Sequence, residues 1–458
     1  MNMHFAVFQS VYEKIRRPSV VGIRRAAIPV VLLVTLVAGL LVAGCTDAGV
    51  GEGPLAEAWM EDINYLQEEL PKRHANLFFR ITEDEWNAML EDLKKDLPDL
   101  TEDQIKIRLK QAIAAVGDDH TTMVAFHLGG PYMVYPVQLW WFSDGLRVMG
   151  TDPDHSAVLG ARVQAIEGRR LGEVWEAVTT VIPLENEHWL RTQAYVCTLP
   201  EVMRSLGLVE GDTMEMTVES HDGQELEISL APQEYSEVAW ASALKEETMS
   251  EVLWLKSNEP YWFEYIPEEK LLYFQYNRCY DAASTDQAGG ETPGFTKFSS
   301  QLLQALEDNE VERFVIDLRR NSGGDSSVAK TLLERIATLS VNQRGNLFVM
   351  VGRRTYSSAV IHTVQLQLKS WTEALFFGEP TGGKPDSYGN VKSFELPNSK
   401  VVVRYSTDYY NLTGHFNIHL EDESTFTPDF IIPFTYADYV QGIDPVLEAI
   451  LEYEDAGE

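Results

Sequence analysis

Three short stretches of this 458-residue chain place residue types that could carry out acyl transfer. In Phe314 to Asp325 (Phe-Val-Ile-Asp-Leu-Arg-Arg-Asn-Ser-Gly-Gly-Asp) an apolar run meets the pair Gly323-Gly324. Two glycines let the backbone turn with φ > 0 and leave their N–H groups uncovered, so they can face an anion. In Arg354-Thr-Tyr-Ser-Ser-Ala359, 34 residues on from Gly324, a serine stands where a strand-like run gives way to a helix-like one. Such a serine caps a helix more often than it attacks a carbonyl, yet the N–H groups and dipole beside it suit a developing oxyanion. Gly378-Glu-Pro-Thr-Gly-Gly-Lys384 then brings a lysine 26 residues after Ser358. A lysine in an apolar pocket loses hydration, its pKa falls, and the neutral amine can take a proton.

The elements needed to position these residues can be read around them. Phe314-Val-Ile316, Asn346 to Val351 and Ala374 to Phe377 read as buried strands. Ser326 to Ile336, with Val328, Leu332, Leu333 and Ile336 at helical spacing, and Val360 to Leu368 read as helices. Strand, glycine turn and helix is an arrangement by which α/β proteins aim backbone donors at an anion.

Val315 to Gly324, Arg354 to Ala359, Gly378 to Lys384, and Thr427-Pro-Asp429 followed by Asp444-Pro445 stand in an order that resembles the C-terminal processing (tail-specific) serine peptidases. That family also includes tricorn protease and the interphotoreceptor retinoid-binding protein. The resemblance covers roughly residues 260 to 450, and its specificity lies in the four motifs together rather than in any one of them. It implies an α/β fold whose catalytic domain is a ββα spiral of the crotonase/ClpP kind. It also implies a serine nucleophile at Ser358, with Ser357 as the register alternative, and an oxyanion hole made by the N–H of Gly323 or Gly324 together with that of Ala359. The base is left between two residues. Lys384 is slightly preferred, its spacing being one residue longer than the Ser-Lys branch implies. His120, in Gly117-Asp-Asp-His-Thr121, is similar to the Asp-x-His-Thr base of tricorn-like members, and an imidazole serves near neutral pH without much tuning. In those members a distant glutamate orients the histidine, and residues Asn411 to Asp422 offer no counterpart. Asp317 and Arg319 read as fixing a strand end.

Residues 1–44 stand apart from the fold. Lys14, Arg16, Arg17, Arg24 and Arg25 precede an apolar run from Ala26 to Ala43, and Leu41-Val-Ala-Gly-Cys45 resembles a bacterial lipobox. Cleavage before Cys45 and lipidation of its thiol would tether the chain to a membrane without spanning it, through the linker-like residues 45–54. The expected location is extracytoplasmic, in a periplasm or on the cell surface. Losing five Lys/Arg and one Glu takes the net charge from −33 to −37, which excludes phosphate-backbone binding as a main function. Export permits a disulfide between Cys197 and Cys279, but two isolated thiols equally fit buried free cysteines.

Residues 55–130 are expected to be helical, with capping boxes at Thr82-x-x-Glu85 and Thr101-x-x-Gln104. Residues 131–232 turn to short strands, including a hairpin of Met214–Val218 and Leu226–Leu230 through His221-Asp-Gly223. Ser156 to Gly168 resembles the core of a PDZ-like module, which holds peptides by strand addition, although the carboxylate-binding loop of such modules is not evident. Residues 233–260 read as a linker and 261–458 as the catalytic domain, with a mobile loop by composition over 282–293.

Two coincidences are set aside. Gly378 to Lys384 mimics a phosphate-binding loop, but Pro385 stands where a magnesium-binding hydroxyl is needed. His415 and His419 lack the helical setting of a zinc pair, so no metal and no cofactor is expected. The expectation is a lipid-anchored serine endopeptidase acting on unfolded chains or exposed C-termini. The rival reading is a peptidase-like protein that binds peptides or lipophiles without catalysis. Sequence leaves oligomeric state and cleavage preference open.

Overall fold

A computed structural model describes residues 51–454 apart from 52, 125–131, 246–247, 250–251, 283–292 and 369. Cys45, the apolar run before it and nearly all of the 282–293 loop lie outside the described residues. No helix among the described residues is long and apolar enough to cross a membrane.

Parallel pairing organises residues 261–454. Six strands lie in the order Tyr261–Ile266, Leu271–Tyr276, Arg313–Asp317, Leu347–Val351, Leu375–Gly378 and Phe430–Ile431. The first two pair antiparallel and the remaining neighbours pair parallel. Parallel strands carry helices on their faces, which is why these runs are apolar at nearly every position rather than alternating. Phe314, Ile316, Leu347 and Val349 face Leu302, Leu332, Ile336, Val360 and Val364 from the helices Phe295–Asp308, Lys330–Ile336 and Ser358–Gln367. Val315, Phe348 and Met350 point the other way, onto Val446 and Ile450 of the helix Pro445–Leu451. Truncating the fully buried Phe348 to Ala would cost about 3–5 kcal/mol.

One helix is shorter than its spacing predicts. Regular helix starts at Lys330, because Asp325 Oδ1 accepts the Ser327 N–H at 2.8 Å and holds residues 326–329 in turns. The glycine turn therefore does not feed a helix N-terminus directly.

The N-terminal helices Pro54–Arg73, Glu83–Asp96 and Glu102–Ala114 form as expected, and both capping boxes are closed. Their apolar faces pack on residues from far along the chain, namely Phe394, Leu396, Val401, Val403 and Tyr405. These belong to the hairpin Asp386–Glu395/Val402–Asn411, and Thr122–Val124 adds a third strand to it. Buried Asp62 fastens the hairpin turn by accepting the N–H groups of Asn398 and Ser399, both at 2.8 Å. Residues 55–124 and the 386–411 hairpin thus share one core.

Residues 132–245 build an antiparallel sheet ordered Ala241–Ser242, Gly145–Thr151, Arg162–Ile166, Met214–Glu219, Glu225–Leu230, with Val137–Phe142 also paired to Gly145–Thr151. The last two strands are the expected hairpin, in register from Met214↔Leu230 to Glu219↔Glu225. The segment read as a linker is bound to this sheet. Ala241 pairs with Thr151 of that sheet, Gln233 pairs with Val134 in a separate two-stranded sheet, and Val238 and Leu244 are buried.

Candidate active site

A tight bend lies between the strand Leu347–Val351 and the helix Ser358–Gln367. Side-chain and backbone bonds fix it from below: Thr355 Oγ1 donates to Leu318 O at 2.9 Å, and the Tyr356 N–H donates to Asn321 O at 3.0 Å. Gly382 and Gly383 pack beneath the bend. A Cβ on Gly382 would meet Arg353 O at 2.1 Å, and one on Gly383 would meet Ser357 N at 3.1 Å. At the apex Ser357 has φ 52° and ψ −125°. A non-glycine residue held there stores roughly 1–3 kcal/mol of strain, a cost typical of nucleophiles displayed on a strand-to-helix elbow.

The two neighbouring serines are used differently. The Ser358 hydroxyl is buried and donates to Gly324 O at 2.7 Å. The Ser357 Oγ lies 3.0 Å from His120 Nε2. The geometry thus brings Ser357, the register alternative, to a base, and leaves Ser358 tying the helix to the double-glycine turn.

The expected amides divide in the same way. The Gly323 N–H donates to Asn321 Oδ1 at 2.9 Å, and the Ala359 N–H donates to Tyr356 O at 3.1 Å. Among the described residues the N–H groups of Gly324 and Ser358 have no acceptor. Gly323 (φ 95°) lies so close to the bend that a Cβ would come 2.6 Å from Ser357 Cβ and 2.9 Å from Ser358 N. An oxyanion here would meet the amides of Gly324, one of the two expected glycines, and of Ser358 in place of Ala359.

His120 sits on the loop that leaves the Glu102–Ala114 helix, and Asp118 anchors that loop. Its carboxylate accepts the His120 N–H at 3.0 Å, Thr121 Oγ1 at 2.6 Å and Ser406 Oγ at 2.6 Å. Buried His74 adds a contact at 3.1 Å through Nε2, while its Nδ1 accepts the Asn76 N–H at 3.0 Å, so Nε2 carries the proton. Burial opposes charge on Asp118, but the His120 side chain, the His74 side chain and the Ser406 hydroxyl outweigh it and hold the carboxyl well below the usual range.

The His120 ring stacks on Tyr356 at 4.8 Å, and Tyr356 stacks on Trp189 at 4.3 Å. Nδ1 lies 2.9 Å from Tyr356 Oη and 3.7 Å from Asp118 Oδ1. With carboxylates on that side the proton belongs on Nδ1, which leaves Nε2 free to accept from Ser357. Burial alone would lower the imidazole pKa. Asp118, Glu185 and Asp119 reverse that and hold it above its ordinary value.

Glu185 is the residue that sequence reasoning missed. It is buried, and its Oε2 has no partner among the described residues. Its loop is clamped by Asn186, whose Nδ2 donates to Thr381 O at 3.1 Å, Gly382 O at 3.0 Å and Ser424 O at 2.7 Å. Burial pushes the Glu185 carboxyl up to about 7. Nothing in Leu184-Glu-Asn-Glu187 marks it, and the 411–422 segment carries none of the acids beside His120. Asp118, His120 and Glu185 place ligand atoms within 4.8 Å of one another, the one set among the described residues spaced to hold a metal ion. Both imidazole nitrogens, however, already face Ser357 and Tyr356.

Lys384 is half-buried. Burial pulls its pKa down, and the nearby charge of Glu185 works against that. Among the described residues no hydrogen bond joins it to Ser357 or Ser358. Cys197 and Cys279 are free and buried, and burial pushes both thiols up to about 12. Asp317 and Arg319 hold the strand end as expected: Arg319 pairs with Asp317 and Asp444, each at 2.7 Å.

No family model and no curated sequence matches the chain. Solved structures do. Mature CPAF covers 87% of this chain and 98% of its own at 12% identity and a TM-score of 0.60. Mature CPAF complexed with lactacystin covers 87% and 100% at 12% identity and 0.59. The photosystem II D1 C-terminal processing protease covers 86% and 96% at 12% identity and 0.41. What is shared with CPAF is the fold, mixed α/β across nearly its full length. The site must be argued from its own atoms.

Proposed function

We propose that this protein is a serine peptidase of the C-terminal processing kind, with Ser357 as nucleophile and His120 as base. One observation carries the reading: a strained serine at the apex of a strand-to-helix bend lies 3.0 Å from the imidazole Nε2. His120 takes the Ser357 proton as Oγ bonds to the scissile carbonyl carbon, and the C–N bond breaks as the imidazolium returns that proton to the leaving amine. Water, activated by the same imidazole, then splits the ester. The amides of Gly324 and Ser358 hold the oxyanion, each contributing on the order of 3 kcal/mol. Tyr356 and the Asp118, Asp119 and Glu185 carboxyl groups orient the ring and stabilise its cation.

The fold likeness to CPAF and the parallel sheet support the ββα spiral, and the antiparallel sheet of residues 132–245 supports a PDZ-like module that presents polypeptide substrates. The lipobox supports a chain lipidated at Cys45 and working outside the cytoplasm. The test is to incubate the mature protein with a fluorophosphonate probe and an unstructured peptide, then map the label. Label on Ser357 with peptide cleavage supports the enzyme. Neither label nor cleavage, with peptide still bound, makes it a binding protein.

A further inference from the structure

The backbone of the double-glycine turn is almost fully paired. The Gly323 N–H donates to Asn321 Oδ1 at 2.9 Å, Gly323 O accepts the Cys279 N–H at 2.9 Å, and Gly324 O accepts the Ser358 hydroxyl at 2.7 Å. The Gly324 N–H alone has no acceptor among the described residues. Gly324 is exposed and Gly323 is buried, so the free amide is the one a ligand can reach. Two adjacent amides of the same kind are thus told apart by one side chain, that of Asn321.

Asn321 is fully buried, and its partners fix which way its carboxamide points. Nδ2 donates to Tyr276 O at 2.8 Å, which leaves Oδ1 toward the turn, where it also lies 3.5 Å from Cys279 Sγ. Flipping the amide would set Oδ1 against Tyr276 O and Nδ2 against the Gly323 N–H, acceptor to acceptor and donor to donor. The main chain of the same residue reaches the nucleophile. The Asn321 N–H donates to Leu318 O and Asn321 O accepts the Tyr356 N–H, both at 3.0 Å, and Tyr356 immediately precedes Ser357. One residue therefore ties together the end of the strand Leu271–Tyr276, the glycine turn and the serine bend. A buried N–H without an acceptor is costly, so loss of Oδ1 drives the turn to aim the Gly323 N–H elsewhere and takes Gly324 with it.

We propose that Asn321 is a positioning residue for acyl transfer: its carboxamide oxygen holds the Gly323 N–H back and so presents the Gly324 N–H to the oxyanion, in register with Ser357. The inference deepens the peptidase reading and rests on it. A scissile carbonyl oxygen gains its full charge only once Ser357 Oγ has bonded to the carbon. The alignment therefore acts at the tetrahedral stage and not in peptide binding.

The test compares the full-length Asn321→Ala chain with the unmutated one. Active sites are counted by fluorophosphonate labelling taken to completion, so that kcat is read per reactive Ser357. The probe of the oxyanion is a peptide aldehyde: Ser357 Oγ bonds to its carbonyl carbon, the π pair moves onto the oxygen, and the serine proton passes to His120. Asn321→Ala is expected to lower kcat and aldehyde affinity alike, by about 10²-fold. KM, and the affinity of uncleaved peptide measured in a Ser357→Ala background, should stay within about threefold. A residue that only held the fold would lower the melting temperature and the number of active sites, with kcat per site and aldehyde affinity unchanged; that outcome overturns the proposal. Equal losses for aldehyde and uncleaved peptide overturn it too, by placing the damage in substrate binding. Should Asn321→Ala fail to fold, Asn321→Ser, which keeps a polar group at the position, is read in the same way. An unmutated chain that neither cleaves peptide nor binds the aldehyde ends the peptidase reading and this inference with it. One that does both, matched by the Asn321 variants, ends this inference alone.

Discussion

The His120 imidazole and the Ser357 hydroxyl lie 3.0 Å apart, although 237 residues separate them in the chain. The shared core makes this possible. The helix Glu102–Ala114 packs on the 386–411 hairpin, Thr122–Val124 pairs with Val402–Arg404, and Ser406 bonds Asp118. The loop that carries His120 is thereby fastened to the 386–411 hairpin from the other end of the chain.

From that contact, Ser357→Ala should lower turnover of an unstructured peptide by about 10⁴-fold or more, and His120→Ala by about 10³-fold or more. Ser358→Ala removes a hydroxyl that donates to Gly324 O and should cost under about tenfold in rate and about 1 kcal/mol in stability. Steady-state kinetics of the three variants decides the register. A loss in Ser358→Ala as deep as in Ser357→Ala would return the nucleophile to position 358.

Lys384→Met should keep turnover within about tenfold of the unmutated chain, against the roughly 10³-fold or greater loss expected of a true base. The lysine lies near Glu185 but bonds neither serine among the described residues. Single-turnover rates with the same peptide measure this directly, and a loss of the larger size would reinstate Lys384.

Gly323→Ala should be more damaging than its one added carbon implies. The backbone is at φ 95°, and the new Cβ would sit 2.6 Å from Ser357 Cβ and 3.0 Å from Tyr356 O. Relief requires moving either the nucleophile or the amides that flank it. The expected result is a fall in kcat of about 10²-fold with loss of at least about 1 kcal/mol of stability, read by kinetics and thermal unfolding. Unchanged kcat would show that the double-glycine turn does not abut the reacting atoms.

Much of this arrangement is legible in the sequence, and the limits have physical causes. Buried parallel strands announce themselves as unbroken apolar runs, so Phe314–Ile316 and Leu347–Val351 are read correctly along with the glycines after the first. His120 enters through the resemblance of Gly117-Asp-Asp-His-Thr121 to a known base motif, since a lone histidine in a loop carries no signal of its own. The choice between Ser357 and Ser358 is not encoded in composition, because the two are chemically identical and only a positive φ separates them. The linker reading of 233–260 fails to register the pairing of Ala241–Ser242 with Gly150–Thr151, since two-residue edge strands carry no periodicity. Glu185 is invisible for another reason: its burial arises from the Asn186 clamp, whose acceptors lie 195, 196 and 238 residues away.

Glu185 also sets the final expectation, the pH dependence of the reaction. The acidic groups around His120 hold its pKa above the ordinary 6.5, and a protonated imidazole cannot accept the Ser357 proton. Activity must therefore be lost as pH falls through that raised value, placing the acid limb of kcat/KM above 6.5. Glu185 itself titrates at about 7, and its charge is one of those that raise the imidazole. Protonating it weakens the pull on the imidazole, so the two protons go on over a broad range and the limb should be shallower than a single-proton curve. In Glu185→Gln the negative charge is gone at every pH. The His120 pKa then falls, and the limb should move to lower pH and sharpen to one proton. A glutamate that served only to pack its loop would leave the limb in place, and profiles of the two proteins from pH 5 to 9 separate these outcomes.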